Sequence, residues 1–206
     1  MSYYRLELWP TKEGLNYYED YNTRNRSNDN AGVDLYSVEN YKVSSEFDDR
    51  YNALSKAVRM LDLGTRARLV KVTGEIEEDV HYYVYPRSSM YKSGIMLANS
   101  VGIIDRTYRG TLKALVTNLN EHTYPNVLAG TRVVQIVAPD MGWIKEIKIV
   151  DNLSETSRGS GGFGSTGLGQ PKLIMNARGE MVDRSSAEGI RLNYLEQRTE
   201  KNKSLD

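Results

Sequence analysis

Ten residues, Arg158-Gly159-Ser160-Gly161-Gly162-Phe163-Gly164-Ser165-Thr166-Gly167, bring three kinds of chemistry into one short stretch. Five of them are glycine, which lets backbone N–H groups approach an anion from φ/ψ values that other residues avoid. Arg158 adds a planar, permanently charged fork suited to phosphate. Phe163 offers a flat face on which a base can stack. A phosphate grip beside a stacking ring suggests a nucleotide. A flexible Gly/Ser linker has much the same composition, and the stretch alone does not separate the two.

Four upstream segments carry further candidates. Ala31-Gly32-Val33-Asp34-Leu35-Tyr36-Ser37 places a carboxylate, Asp34, in an apolar strand. Pro86-Arg87-Ser88-Ser89-Met90 offers a guanidinium, two hydroxyls and backbone donors. It reads as a loop or as a short-helix start with a serine cap, and a helix start is itself an anion site. Asn99-Ser100-Val101-Gly102-Ile103-Ile104-Asp105-Arg106-Thr107-Tyr108-Arg109-Gly110 sets Asp105 between an apolar pair and a polar turn. Gly130-Thr131-Arg132-Val133-Val134-Gln135 puts a polar Gln135 in an apolar strand. Taken singly, each has a plain structural reading. Asp105 is then a turn aspartate, Tyr108 a core aromatic among 15 tyrosines, Asn99 a hairpin cap and Gln135 an outward-facing strand residue.

The elements that must position these residues read mostly as short strands. Tyr4, Leu6 and Leu8 alternate with Arg5 and Glu7. Val33–Val38, Leu69–Thr73, His81–Tyr85, Thr111–Thr117, Arg132–Ala138 and Glu146–Val150 are rich in Val, Ile, Tyr and Thr and are separated by turn residues. Such spacing predicts an all-β sandwich or barrel. One segment has a different period. Phe47, Tyr51, Leu54, Val58 and Leu61 recur at steps of four and three, which predicts an amphipathic helix over about 45–63. Ser45 with Asp48 would form its capping box and Gly64 its stop. After Gly169 the chain is polar. Lys172–Met175 and Glu180–Val182 flank Asn176-Ala177-Arg178-Gly179 as a hairpin, and Ser185–Asp206 reads as a short helix or a disordered tail.

Composition bounds the function. The chain has 206 residues, 39% hydrophobic and 26% charged, enough for one domain with extensions. Lysine plus arginine equals aspartate plus glutamate, at 27 each. Net charge therefore gives no argument for nucleic-acid or membrane binding, and phosphate recognition must be local. There is no cysteine, so disulfides, thiolate catalysis and zinc–thiolate sites are excluded, and the two histidines are too few for a His-rich metal centre. The N-terminus has no apolar signal core, and no apolar run approaches the ~18 residues of a membrane span. A soluble, cytoplasmic protein is expected, or one in a host-cell interior if its source is viral.

In order and spacing, the five segments closely resemble the five motifs of the trimeric dUTP pyrophosphatase (dUTPase) family, over about Tyr4 to Gly167. The resemblance implies a distorted jelly-roll β-barrel over residues 1–167, lid motif included, with 168–206 as an extension. It implies a homotrimer with active sites shared between subunits. It also implies the reaction, dUTP plus water giving dUMP and pyrophosphate, which limits uracil in DNA and supplies dUMP for thymidylate synthesis. Mg²⁺ is the implied cofactor, held through the triphosphate and water rather than by protein ligands. Asp105 would orient and deprotonate the attacking water, a task for which an ionised carboxylate, which only accepts hydrogen bonds, is suited. Tyr108 would lie under the deoxyribose and exclude a 2′-hydroxyl. Asn99 would read the uracil edge in a hairpin running through Gly102, Ile103 and Ile104. Arg87, Ser88, Ser89 and Gln135 would hold the phosphates, and Asp34 would support them indirectly. Arg158 would clamp the γ-phosphate, Phe163 would stack on uracil, and Gly164 and Ser165 would close with them as a lid.

The sequence departs from the family pattern in places. Thr131 stands where aspartate is usual and Thr111 where an acid is common. The segment around Phe47–Leu61 is an insertion, and the chain after Gly167 is longer than usual. Two other readings remain. One is a dCTP deaminase-like or bifunctional relative, although Thr111–Asn118 lacks the glutamate such relatives need. The other is a regulatory protein whose nucleotide-gated lid, inserted helix or tail contacts a protein partner.

Overall fold

In chain order the strands are β1 (Ser2–Pro10), β2 (Gly32–Tyr36), β3 (Tyr41–Lys42), β4 (Val58–Asp62), β5 (Thr65–Thr73), β6 (Ile76–Val80), β7 (Tyr82–Pro86), β8 (Ile95–Leu97), β9 (Gly102–Ile104), β10 (Lys113–Asn118), β11 (Asn126–Val127), β12 (Arg132–Val137), β13 (Ile144–Ile149), β14 (Leu173–Met175) and β15 (Met181–Asp183). A four-residue helix α1 (Leu15–Tyr18) and a 3₁₀ turn at Met90–Ser93 are the helical pieces among the described residues. The computed structural model describes residues 2–23, 27, 29–42, 58–119, 126–162, 173–176, 178 and 180–183. The chain divides into two compact units, Met1–Gly162 and Phe163–Asp206.

In the first unit, one sheet runs β13-β1-β5-β6 and another β2-β12-β7-β9, with a three-stranded sheet β4-β10-β8 and a short pair β11-β3. Only β1 and β13 pair in parallel among the described ladders; the others are antiparallel. Their inner faces bury Leu6, Leu8, Leu35, Leu61, Leu69, Ile136 and Ile144 in a single core. Each such side chain contributes roughly 1.5–3 kcal/mol by leaving water. This is the all-β, jelly-roll arrangement expected from the sequence. In the second unit, β14 and β15 pair antiparallel, Leu173 with Asp183 and Met175 with Met181, as the expected hairpin.

The alternation in β1 hides a second buried face. Tyr4, Leu6 and Leu8 enter the core, yet Arg5 and Glu7 are buried as well. Arg5 donates to Glu7 and to Glu77, Arg68 to Glu7 and to Asp79, and Arg109 to Asp79. Opposite charges on β1, β5 and β6 satisfy one another there, the condition under which buried charge is tolerated.

The helix expected to end near residue 63 is corrected at its C-terminal part. Val58–Asp62 is a strand, pairing antiparallel with β10 so that Leu61 faces Ala114 and Met60 faces Leu115. Leu61 is fully buried and Met60 is exposed, the two-residue period of a strand. The ladder satisfies the backbone of 58–62, and tertiary pairing overrides the helical spacing. Gly64 is not a helix stop. It turns the chain between β4 and β5 at φ +62°, and an added Cβ there would stand 2.9 Å from Gly14 Cα. Residues 43–57, which carry the rest of the expected helix, lie outside the described residues.

Candidate active site

The cleft on the β2-β12-β7-β9 sheet follows from strand register. Asp34 of β2 faces Gln135 of β12, which faces Tyr85 of β7, so the three share one face. Arg87 is two residues beyond Tyr85 and continues that face, its N–H donating to Val133 O at 3.2 Å. Arg132 would point to the opposite face in a regular strand, three residues from Gln135. The β12 register shifts between Arg132 and Val134, so Val133 is bulged and both Val133 and Val134 are buried. The extra residue reverses the parity and turns Arg132 onto the cleft side with Gln135.

The result is a cleft of ≈ 500 Å³ whose walls include Gly32, Asp34, Arg87, Ser88, Arg132 and Gln135. Asp34 is clamped between two guanidiniums. Arg87 Nε donates to Oδ1 at 2.7 Å and Arg132 Nη1 to Oδ2 at 3.1 Å. Arg87 Nη1 also reaches Ser89 Oγ at 3.2 Å. Each guanidinium carries five N–H donors, and one carboxylate leaves most of them for an anion. Gln135 Nε2 donates to Pro86 O at 3.3 Å. Its side chain lies over Gly32, where a Cβ would stand 2.0 Å from Oε1, so a larger residue here would displace the Gln135 amide. Ser89 precedes the 3₁₀ turn, but its hydroxyl makes no cap bond. The motif is a loop with a short 3₁₀ continuation.

A second cluster lies at the other end of β7. β9 pairs with β7 so that Ile104 faces Tyr82, and Asp105 emerges beside His81, with His81 Nδ1 3.4 Å from Asp105 Oδ1. The Tyr108 N–H donates to Asp105 O at 2.9 Å, forming the turn. The Tyr108 ring is buried, its hydroxyl donates to Thr111 O at 3.0 Å, and burial pushes its phenol pKa up. Arg158 Nη1 donates to Asp105 Oδ2, Arg158 Nε donates to Gly161 O at 2.8 Å, and its guanidinium carbon lies 5.9 Å from the Tyr108 ring centre. An added Cβ on Gly162 would stand 3.0 Å from the Tyr108 ring, so glycine lets the chain cross this ring closely.

Arg109 ties the two parts of this cluster together. It is buried, its backbone N–H donates to Gly159 O, and its guanidinium bonds Ser154 O, Arg106 O, Tyr108 O and Asp79. Thr156 Oγ1 donates to Thr107 O. The 154–162 segment is thereby fastened to the loop that carries Asp105.

The expected site residues thus fall into two groups. Asp34, Arg87, Ser88 and Gln135 meet in the cleft, Ser89 stands behind it as an acceptor for Arg87, and Asp105, Tyr108 and Arg158 meet at the opposite end of β7. Arg158 lies on Asp105 and Tyr108 rather than among the cleft residues. Asn99 is exposed at a turn with Ser100 at φ +61°. This turn leads from β8, which pairs with β10, to β9, which pairs with β7, so it joins two sheets rather than closing one ladder. Along β9, Ile103 is 71% exposed. Phe163, Gly164 and Ser165 lie outside the described residues. Sequence reasoning passed over Arg132, His81 and Arg109. A bulge next to two buried valines, an isolated histidine and a buried arginine leave no periodic signal.

The cleft's donor set bears on metal binding. Mg²⁺ prefers six oxygen ligands in a near-octahedral shell. The cleft offers it two carboxylates, Asp34, whose two oxygens already serve two guanidiniums, and Asp29, which accepts from the Ser27 hydroxyl. Two carboxylates fall short of such a shell, so these residues fit a cation whose remaining ligands come with a bound anion or from solvent.

Comparisons with known proteins identify the family. A family model described as dUTPase matches residues 19–167. The deoxyuridine 5'-triphosphate nucleotidohydrolase of Escherichia phage T5 is 38% identical over 143 residues, 68% of this chain and 88% of that protein. The enzyme of the same name from Wolinella succinogenes is 37% identical over 114 residues, 53% of this chain and 75% of that protein. The crystal structure of dUTPase from Streptococcus mutans superposes with a TM-score of 0.40 at 26% identity, over 55% of this chain and 80% of that one. The span of the family match takes in the cleft, the Asp105 loop and the glycine-rich stretch alike, and the chain belongs to the dUTPase family.

Proposed function

We propose that this chain hydrolyses dUTP to dUMP and pyrophosphate in a homotrimer whose sites are shared between subunits. The observation that carries the reading is the convergence of Asp34, Arg87, Ser88, Arg132 and Gln135 in one cleft. Two guanidiniums pinned by one carboxylate form a rigid anion clamp, orienting the phosphates before reaction. Asp105 of a neighbouring subunit takes the proton of a water whose oxygen attacks the α-phosphorus. The α–β bridging oxygen leaves with pyrophosphate, its charge met by the Arg87 and Arg132 donors. Mg²⁺, were it bound with the triphosphate, would supply positive charge to the phosphates, while Arg87 and Arg132 hold them. Tyr108 supplies the floor under the deoxyribose, and the Asn99–Ile104 segment reads the base.

A sheet face supports assembly with further copies. On β4-β10-β8, Ala114, Val116, Leu61 and Leu97 point into the core. The opposite face carries Met60, Leu115 and Met96, and Met60 and Met96 are each 45% exposed. An apolar sheet face of this kind is suited to burial against copies of itself around a symmetry axis. No helix among the described residues is long and apolar enough to cross a membrane.

The test is pyrophosphate release with Mg²⁺ from dUTP, dTTP, dCTP and UTP in parallel. Release confined to dUTP is the expected result. Release from UTP would remove the role of Tyr108, and ammonia from dCTP would move the chain to the deaminase relatives.

A further inference from the structure

His81 holds its Nδ1 between one donor and one acceptor. The backbone N–H of Arg106 lies 3.3 Å from Nδ1, and Asp105 Oδ1 lies 3.4 Å from the same atom. A ring nitrogen accepts from an amide only when bare, and donates to a carboxylate only when protonated. The two bonds exclude each other, and one proton decides between them.

We propose that His81 is a positioning residue whose protonation decides whether the Asp105 carboxylate is open to water. With the imidazole neutral, Nδ1 is held by the Arg106 amide, and Oδ1 keeps its lone pairs for the attacking water. With the imidazole protonated, Nδ1–H donates to Oδ1, taking one of its lone pairs and lowering the basicity with which it receives the water's proton. The side chain is 60% exposed, so the proton comes from solvent and returns to it. No other bond changes. The inference rests on the reading of Asp105 as the water-activating base.

The charged neighbours leave this choice to His81. Arg158 occupies the other Asp105 oxygen, Oδ2. The Arg106 guanidinium is directed to Glu78 of β6 at 3.9 Å. Asp79 of β6 is taken by Arg68 and Arg109. Imidazole is the side chain whose ordinary titration, near pH 6.5, spans the neutral range.

The test compares the full-length wild type with His81→Asn, whose amide does not titrate. On acidification from neutral pH, wild-type dUTP turnover falls about tenfold as the imidazole takes up its proton. The ratio of the neutral to the acid rate in His81→Asn is within about twofold of unity, since the asparagine amide takes up no proton. An equal acid limb in both proteins overturns the proposal. A second readout is independent of activity. The Arg106 amide resonance moves through the imidazole range in the wild type, as its bond to Nδ1 is lost, and stays still in His81→Asn. If neither protein releases pyrophosphate, the functional reading fails, and the Arg106 amide still decides the His81 switch. A still Arg106 amide in the wild type overturns the switch whatever the activity.

Discussion

Arg87 and Asp105 stand at opposite ends of one strand. Arg87 follows the last residue of β7, and Asp105 lies beside His81, which precedes the first. Five residues of extended chain lie between His81 and Arg87, and the six steps from one to the other span about 20 Å at ~3.3 Å per residue. The cleft that contains Arg87 does not include Asp105 among its walls. On the proposed reading, the phosphate clamp and the water-activating base that serve one nucleotide would come from different copies of the chain.

This separation predicts complementation. Arg87→Ala and Asp105→Asn are each expected to be inactive alone. After mixing and refolding, a shared site regains both groups when the first variant supplies Asp105 and the second supplies Arg87. Random assembly restores on the order of one quarter of the sites. No recovery of pyrophosphate release, with mixed trimers verified by mass, would place the whole site in one chain.

Asp105→Asn keeps the shape of the carboxylate and removes its basicity. Turnover is expected to fall roughly 10²–10⁴-fold, while a non-hydrolysable dUTP analogue binds as in wild type by calorimetry. Wild-type turnover in this variant would remove Asp105 from its role.

Asp34→Asn releases the clamp rather than the chemistry. Arg87 and Arg132 lose the carboxylate that fixes their orientation, at 2.7 and 3.1 Å. KM for dUTP is expected to rise about tenfold, the cost of roughly one lost charge-assisted hydrogen bond, with a smaller change in kcat. A loss confined to kcat would point instead to contact with the reacting atoms.

Arg109→Ala removes a buried cation that serves Asp79 and four further oxygens, from Ser154, Arg106 and Tyr108. Breaking a buried pair costs about 3–5 kcal/mol. The low end applies here, because Asp79 keeps Arg68. Urea unfolding measures the loss, and protease cleavage within 154–162 should accelerate in step. Unchanged cleavage would mean that other contacts fasten this segment.

Tyr4 makes stability sensitive to alkali. Burial, with a hydrogen bond to Asp140 at 3.0 Å, pushes its phenol from 10.0 up to about 12. The folded state thus favours the neutral form. The contribution is complete below pH 10, the unfolded value, and is lost as pH rises towards 12. The difference in Tm between wild type and Tyr4→Phe should shrink across that interval. A constant difference would show that Tyr4 ionises equally in both states.

Residue identity and order point to the candidate chemistry and to several of the strands that carry it. The five segments needed only residue identity and order, because glycine, arginine, aspartate and tyrosine each bring their chemistry wherever they are placed. β1, β2, β12 and the β14–β15 hairpin were legible from a two-residue period, which depends only on local geometry. Tertiary structure decided everything that depends on pairing. Val58–Asp62 became a strand because β10 offered it a ladder, although its spacing fitted a helix. Arg132 joined the cleft because a bulge at Val133 reversed strand parity, and a single extra residue leaves no mark in composition. His81 reached Asp105 only because β9 pairs with β7. Arg158 and Asp105, 53 positions apart, met because Arg109 fastens the two segments together. These contacts depend on non-local register, which neighbouring residues in a sequence do not specify.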